Sequence, residues 1–235
     1  MGKAYAITDL HGRLDLWKEA QKIFKEDDKI FFLGDAMDRG PYGYELMLEL
    51  LQDKRVTYIK GNHEDLMEEG IRAVLGEGLR EDFELWYQVN GGYTTWNKIK
   101  KCSDKTLLGM ADTLHNLPCS VFYVNKKKQV IFMNHAGVPP FFAESATDYD
   151  FMWKRTYYLN QYDWTPDWMS PNKWRQEWNN TYLVHGHTPS KTKEIIKYSQ
   201  GHAFNIDIGA VWFGKAAILD LDTLEPIYIY ASEGK

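Results

Sequence analysis

Lys29-Ile30-Phe31-Phe32-Leu33-Gly34-Asp35-Ala36-Met37-Asp38-Arg39-Gly40-Pro41 carries the reading of this chain. The apolar run Ile30 to Leu33 reads as a strand, and it stops at a glycine followed by two acids and an arginine. A helix rich in Leu and Met is then expected from about Gly43 to Leu51. The same order recurs on either side. Ala4 to Thr8 leads into Asp9-Leu10-His11-Gly12 and a helix from Leu14 to Phe24, with Leu14, Trp17, Ala20 and Phe24 at helical spacing. Arg55 to Ile59 leads into Gly61-Asn62-His63-Glu64 and a helix from Glu64 to Leu75. Three strand-helix units in succession imply parallel pairing with right-handed crossovers.

Beyond these units the chain reads as helical from about Glu81 to Asn116, with Ser103 as a cap before Leu107, Leu108 and Met110. Ser120 to Val124 and Gln129 to Met133, on either side of Asn125-Lys126-Lys127-Lys128, read as a hairpin. Further β-rich runs at 181–184, 203–208, 215–221 and 226–231 predict a second sheet, largely antiparallel. With no internal repeat and no low-complexity linker, one domain over residues 1–235 is expected. An aromatic-rich stretch, Phe151 to Trp178, holds Trp153, Tyr157, Tyr158, Tyr162, Trp164, Trp168, Trp174 and Trp178. It reads first as a packed excursion over the sheets, and second as a lid or substrate wall whose aromatics stack on a base or hold a peptide.

A chain of 235 residues with 44% hydrophobic and 26% charged residues has the composition of a globular protein with a large core. Its formal charge of −5 argues against a general nucleic-acid binder, though bound cations would supply local positive charge. The two cysteines, Cys102 and Cys119, lack metal-ligand spacing and fit a reduced, cytoplasmic setting. The start enters a strand directly, without a signal-peptide pattern, and Ala6 stands where an N-myristoylation pattern needs Ser or Thr. No run of 18 apolar residues exists, so no membrane span is expected.

Asp9, His11, Asp35, Asn62, His135 and His187 are candidate metal ligands, each just beyond an apolar run. Hydrolysis of a phosphate ester near neutral pH needs hydroxide, and a bound cation lowers the pKa of water towards ~7. Mixed carboxylate, amide and imidazole donors suit manganese, iron or zinc better than calcium. Asp35, central at the end of the second strand, is the natural shared carboxylate. Taken singly each residue has a plain reading: Asp9 as a helix cap, His11 as a surface histidine, Asp35 and Asp38 as turn residues, Gly61-Asn62 as a turn dipeptide. Taken together they fall where sheets of parallel strands bind ligands, beyond the strand ends.

These fragments resemble the three signature blocks of the calcineurin-like metallophosphoesterases, specifically the phosphoprotein phosphatase branch. That branch includes phage and bacterial serine/threonine phosphatases and symmetrical diadenosine tetraphosphate hydrolases. Asn90-Gly91-Gly92, His135-Ala136-Gly137-Val138-Pro139, Trp153-Lys154-Arg155, His185-Gly186-His187-Thr188-Pro189 and Ile206-Asp207-Ile208-Gly209 extend the resemblance from Ala4 to about Asp222. It implies a four-layer α/β (α+β) sandwich of two mixed sheets flanked by helices. It assigns one ion to Asp9, His11 and Asp35, and a second to Asp35, Asn62, His135 and His187. His63 resembles the general acid, Asp38 its orienting carboxylate, and Arg39, Asn62 and Arg155 the phosphate-gripping groups.

The resemblance implies hydrolysis by direct attack of a metal-bridging hydroxide, with two divalent ions, Mn2+ first, Fe or Zn as alternatives. A phosphorylated serine or threonine in a protein is the first substrate reading, and a dinucleoside polyphosphate such as diadenosine tetraphosphate the second. The third, a non-catalytic binding module, would require lost ligands or a lost acid, and none is lost. His185 reads as a buried neighbour of the ligands, Glu64 as an anchor for Asn62 or a helix cap, and Tyr42 as packing.

Overall fold

Strand β1 (Ala4–Ile7) is buried on both faces, which is why its residues run apolar without alternation. Ala4 and Ala6 belong to a core shared with a second sheet, while Tyr5 and Ile7 pack beneath helices. The computed structural model describes residues 2–155 and 179–231. Within them β1 pairs in parallel with β2 (Lys29–Phe32), and β2 in parallel with β3 (Val56–Tyr58). Helices α1 (Leu14–Gln21) and α2 (Gly43–Gln52) make the crossovers, and α3 (Asn62–Val74) follows β3. These are the three expected units. However, α1 ends before Phe24, which still packs into the core, and α3 starts two residues before Glu64.

The expected unbroken helicity from 81 to 116 is interrupted. The chain forms α4 (Arg80–Glu84), a π-helical turn at Leu85–Val89, α5 (Tyr93–Ile99) and α6 (Asp104–His115). The break falls at Asn90-Gly91-Gly92, where Gly91 takes φ +82°, a conformation glycine adopts without steric cost. Ser103 caps α6 through its hydroxyl, which accepts from Thr106 N.

The hairpin of β4 (Ser120–Val124) and β5 (Val130–Asn134) begins the second sheet, and α7 (Asp148–Trp153) follows. Beyond residues 156–178 come β6 (Thr181–His185), β7 (Ile196–Tyr198), β8 (Ala203–Asn205), the short helix α8 (Ala210–Phe213), β9 (Lys215–Asp220) and β10 (Glu225–Tyr230). The first sheet has the order β10-β9-β1-β2-β3 and the second β4-β5-β6-β8-β7.

Both sheets are therefore mixed. The second is not largely antiparallel, since β5, β6 and β8 run parallel at its centre. Nor do the last two runs belong to it: β9 adds antiparallel to β1, and β10 to β9. The sheets meet face to face over Phe31, Leu33, Ile131, Met133, Val184 and Leu219. Helices cover the outer face of the first sheet, and Val138 and Phe151 cover the second. Phe151 and Trp153 are the described members of the aromatic stretch; the others named from it lie outside the described residues.

Trp17 is fully buried in the helix layer, its ring 6.3 Å from that of Phe32. Trp17→Ala is expected to lower the unfolding free energy by about 3–5 kcal/mol, the usual cost of truncating a buried aromatic. An unfolding free energy from urea titration lowered by less than a third of that would show that this layer is not what holds α1 to the sheet.

Candidate metal centre

The parallel strands of both sheets end on one side of the molecule, and their pairing continues into the loops. Asp9 N donates to Gly34 O (3.1 Å), His11 N to Asp35 O (3.0 Å) and Gly186 N to His135 O (3.0 Å). These loops are strained. Asp9, His11, Asp35, Asp38, Arg39 and His187 all have positive φ, between 43° and 71°. Asp and His tolerate that region better than most residues; arginine does not. Six non-glycine side chains held in this conformation are aimed by the backbone at one point, a concentration of strain typical of functional sites.

Three histidines share one arrangement. His11 Nδ1 lies 2.9 Å from Met37 O, His135 Nδ1 2.7 Å from Leu33 O, and His187 Nε2 3.2 Å from Trp153 O. A carbonyl only accepts, so each ring nitrogen facing one carries the proton, and the other nitrogen presents a lone pair inward. His135 Nε2 and His187 Nδ1 stand 3.0 Å apart, and Asn62 Oδ1 is 3.0 Å from the first and 2.8 Å from the second. Asp35 divides its oxygens. Oδ1 lies 3.4 Å from His135 Nε2, whereas Oδ2 lies 3.5 Å from His11 Nε2 and 3.9 Å from His63 Nε2. Two buried clusters result, Asp35-His135-His187 and His11-Asp35-His63, with Asp35 in both.

Acceptors facing acceptors without an intervening proton repel, and burial leaves no water to relieve them. The charges deepen the conflict. Burial pushes the Asp35 carboxyl well above the usual carboxylate range, and the negative charges of Asp9 and Glu64 push it further. Burial raises Asp9 and Asp207 too, the latter also through Asp9. Burial likewise holds His11 and His187 well below the usual histidine range, so their rings are neutral. Neutral imidazoles and crowded carboxylates are the donor set of divalent cations. The guanidinium of Arg39 already stands at the inward nitrogen of His11, Nη1 to Nε2 2.6 Å. These buried clusters fit a dinuclear metal site.

Asp9 departs slightly from the rest. Its Oδ2 accepts from the Thr8 hydroxyl (2.6 Å) and from His187 N (3.0 Å), joining the first strand's loop to the last ligand's loop. It does not cap α1, whose cap position is Arg13 with no side-chain bond. Gly186 lies so close that a Cβ there would strike Asp9 Oδ2, and one at Gly61 would strike Asp35 Oδ1.

His63, a member of the second cluster, donates from Nδ1 to Asp38 Oδ2 (2.8 Å), both side chains being fully buried. Its Nε2 is buried with no hydrogen-bond partner among the described residues. Burial holds this imidazole well below the usual histidine range and pushes the Asp38 carboxyl up to about 7. Asp38 is fixed by the Thr95 hydroxyl (2.6 Å) and by Trp86 Nε1 (2.9 Å). Neither residue was singled out from the sequence. Their signal lay in Asn90-Gly91-Gly92: Gly91 O accepts from Arg39 N, and Trp86 fills the space a Cβ on Gly92 would need.

Glu64 proves to be the clamp of the whole end. One oxygen accepts from Gly61 N and Asp35 N (2.8 Å each), the other from Ala36 N (3.0 Å) and the Tyr58 hydroxyl (2.6 Å). Arg155 is exposed, with no carboxylate paired to it among the described residues, and its charge acts on His63 and His187. His185 is buried, its ring nitrogens near Gly186 O (3.0 Å) and the Tyr198 hydroxyl (2.7 Å); burial lowers its pKa to about 3. Tyr42 is not packing: 49% of it is exposed, beneath Lys98.

The sequence profile of the calcineurin-like phosphoesterases matches residues 2–217. The chain belongs to this family. Its metallophosphatase-like fold recurs in a crystal structure provisionally named a diadenosine tetraphosphatase, with a TM-score of 0.67 over 99% of this chain and 95% of that one, at 15% identity. A bis(5'-nucleosyl)-tetraphosphatase PrpE, designated asymmetrical, from Bacillus thuringiensis subsp. konkukian is 26% identical over 96% of this chain and 93% of its own length. A probable serine/threonine-protein phosphatase of Encephalitozoon cuniculi is 27% identical over 59% of this chain, which spans only 27% of that protein's length. Among the described residues no helix is long and apolar enough to cross a membrane.

For this phosphoesterase, elemental analysis after loading with Mn2+ is expected to return two ions per chain, and Asp35→Asn fewer. At free metal one hundred times Kd, each ion adds about 2.7 kcal/mol to stability, so chelation should lower the Tm of the native chain markedly. A single ion per chain, or a Tm indifferent to chelator, would contradict a two-ion centre.

Proposed function

We propose that this phosphoesterase hydrolyses a dinucleoside polyphosphate, a bis(5'-nucleosyl) tetraphosphate, through a dinuclear centre. The observation that carries the hydrolytic reading is Asp35 reaching into both donor clusters, with His63 in one of them keeping a buried nitrogen that has no hydrogen-bond partner among the described residues. Asp9, His11 and Asp35 would hold one ion, and Asp35, Asn62, His135 and His187 the other. When bound, two divalent ions supply a water of lowered pKa and neutralise charge on the phosphoryl oxygens.

The chain's own groups then divide the work. Arg39, with Asn62 and Arg155, grips non-bridging phosphate oxygens, for which a planar fork is well shaped. Water adds to phosphorus and gives up a proton, and the bond to the leaving oxygen breaks. His63, whose neutral ring keeps its own proton on Nδ1, takes up a proton at Nε2 and passes it to that oxygen. Asp38 fixes the tautomer and aim of His63, and Trp86 and Thr95 fix Asp38 in turn. Asp38 thus acts as a positioning residue.

Choice of substrate rests on extent of similarity. The tetraphosphatase likeness runs nearly end to end in both chains, whereas the protein-phosphatase likeness covers little more than half of this one. This reverses the order expected from motifs alone, which both groups share. A phosphoserine or phosphothreonine protein remains the second reading, favoured by that partial likeness.

Turnover of diadenosine tetraphosphate, a phosphoserine peptide and an aryl phosphate should be compared with manganese-loaded protein. The dinucleotide is expected to show the highest kcat/KM and to give AMP and ATP. Two molecules of ADP would mean symmetrical cleavage, and a hundredfold preference for the peptide would restore the protein-phosphatase reading. His63→Ala should lower kcat on the peptide by about 10²–10⁴ with metal content retained. The loss on the dinucleotide should be smaller, because a polyphosphate oxygen leaves as an anion more readily than an alkoxide does. Unchanged kcat on both would remove His63 from the role.

A further inference from the structure

Trp212 is a large apolar ring placed in solvent, 57% exposed, at the mouth of the metal centre. The backbone puts it there deliberately. Asp207, buried beside the acids of the centre, accepts from Gly209 N through Oδ1 (2.9 Å). Gly209 turns with φ +78° into α8, whose Ala210 is buried and whose carbonyl accepts from Arg13 Nη1 (3.2 Å). The short helix so anchored presents Trp212 and the 43%-exposed Phe213 outward, with Lys193 Nζ 4.4 Å from the Phe213 ring centroid.

The ring of Trp212 lies 5.5 Å from the guanidinium carbon of Arg39, and Arg39 Nη1 is 2.6 Å from His11 Nε2. One arginine thus links an exposed indole to the donor cluster. A base on the indole and a phosphate on the arginine would thus lie on adjoining side chains, as the two ends of one nucleotide require. A tryptophan beside a phosphate-gripping arginine offers a broad rigid face at small entropic cost.

We infer that Trp212 is the stacking platform for the nucleobase next to the phosphate gripped by Arg39. Trp212 therefore selects nucleoside phosphates over phosphates with a non-aromatic substituent. This rests on the nucleotide reading of the site proposed above and names a residue that sets it. Stacking of a base on an aromatic side chain contributes about 1–3 kcal/mol, a factor of about 5 to 150 in affinity.

The test is calorimetric binding of AMP and of ribose 5-phosphate to the metal-loaded protein. The two share phosphate and sugar, so any disturbance of Arg39 weakens both and cancels in the ratio of their Kd values. AMP should bind the native chain at least fivefold more tightly. Trp212→Ala should bring the ratio to about one, and Trp212→Phe should recover most of it. A native ratio near one, or a ratio unchanged in Trp212→Ala, would overturn the assignment. Because binding is read directly, the inference is tested even if the native chain leaves diadenosine tetraphosphate intact, an outcome that would instead refute the substrate proposal.

Discussion

A surplus of buried acceptors is the constraint on which the rest of the molecule depends. Lone pairs of His135 and His187 face each other across Asn62 Oδ1, and Asp35 turns one oxygen toward them and the other toward His11. Nothing in a protein interior tolerates such an arrangement without compensating positive charge. The fold must therefore hold the donors close enough to chelate while preventing them from rotating apart. Each inward nitrogen is held by a proton on its opposite side, donated to a backbone carbonyl: Leu33 O just past β2, Met37 O in the loop beyond it and Trp153 O at the end of α7. The histidines are consequently oriented by the backbone rather than by one another.

The cost of that arrangement appears in the backbone. Residues in the left-handed region cluster where the donors are, and the surrounding structure must over-determine them. Glu64 is the principal means. It is the third residue of α3, yet it satisfies N–H groups of the β2 loop and of its own helix start at once. Because α3 begins at Asn62 rather than at Glu64, Asn62 and His63 ride on the first helical turn, and whatever fixes that turn fixes both side chains together. The approach of Gly61 to Asp35 and of Gly186 to Asp9 leaves no room for a side chain at either glycine.

The donors were legible in the sequence because each follows a strand-like run, and parallel strands deliver their loop residues to one end. The supports were not. Trp86 lies in a π-helical turn that no hydrophobic period announces, and its partner Asp38 is 48 residues away. Strand pairing was also hidden: β9 holds an unbroken apolar run and β10 is an apolar strand like others in the chain, and nothing local says that they join β1 rather than the hairpin at 120–134. The interruption at Asn90-Gly91-Gly92 was visible as glycines but not as what they do, which is to admit Trp86 and meet Arg39.

The chemistry of the centre and the choice of substrate thus reside in different parts of the chain. Donors, acid and clamp come from tight loops whose geometry admits few alternatives, and they would serve a phosphoprotein or a dinucleotide equally. A polyphosphate brings several negative charges to a protein whose own formal charge is −5, so attraction has to be local rather than global. Arg39, Arg155 and any bound ions would supply it, and Arg39 lies against the bulky apolar face of Trp212. Selectivity in such a site follows from what borders the phosphate grip. The Trp212 ring, carried on the helix that Asp207 and Gly209 anchor, is linked to the donors through Arg39, so a shift of that helix would be felt at His11.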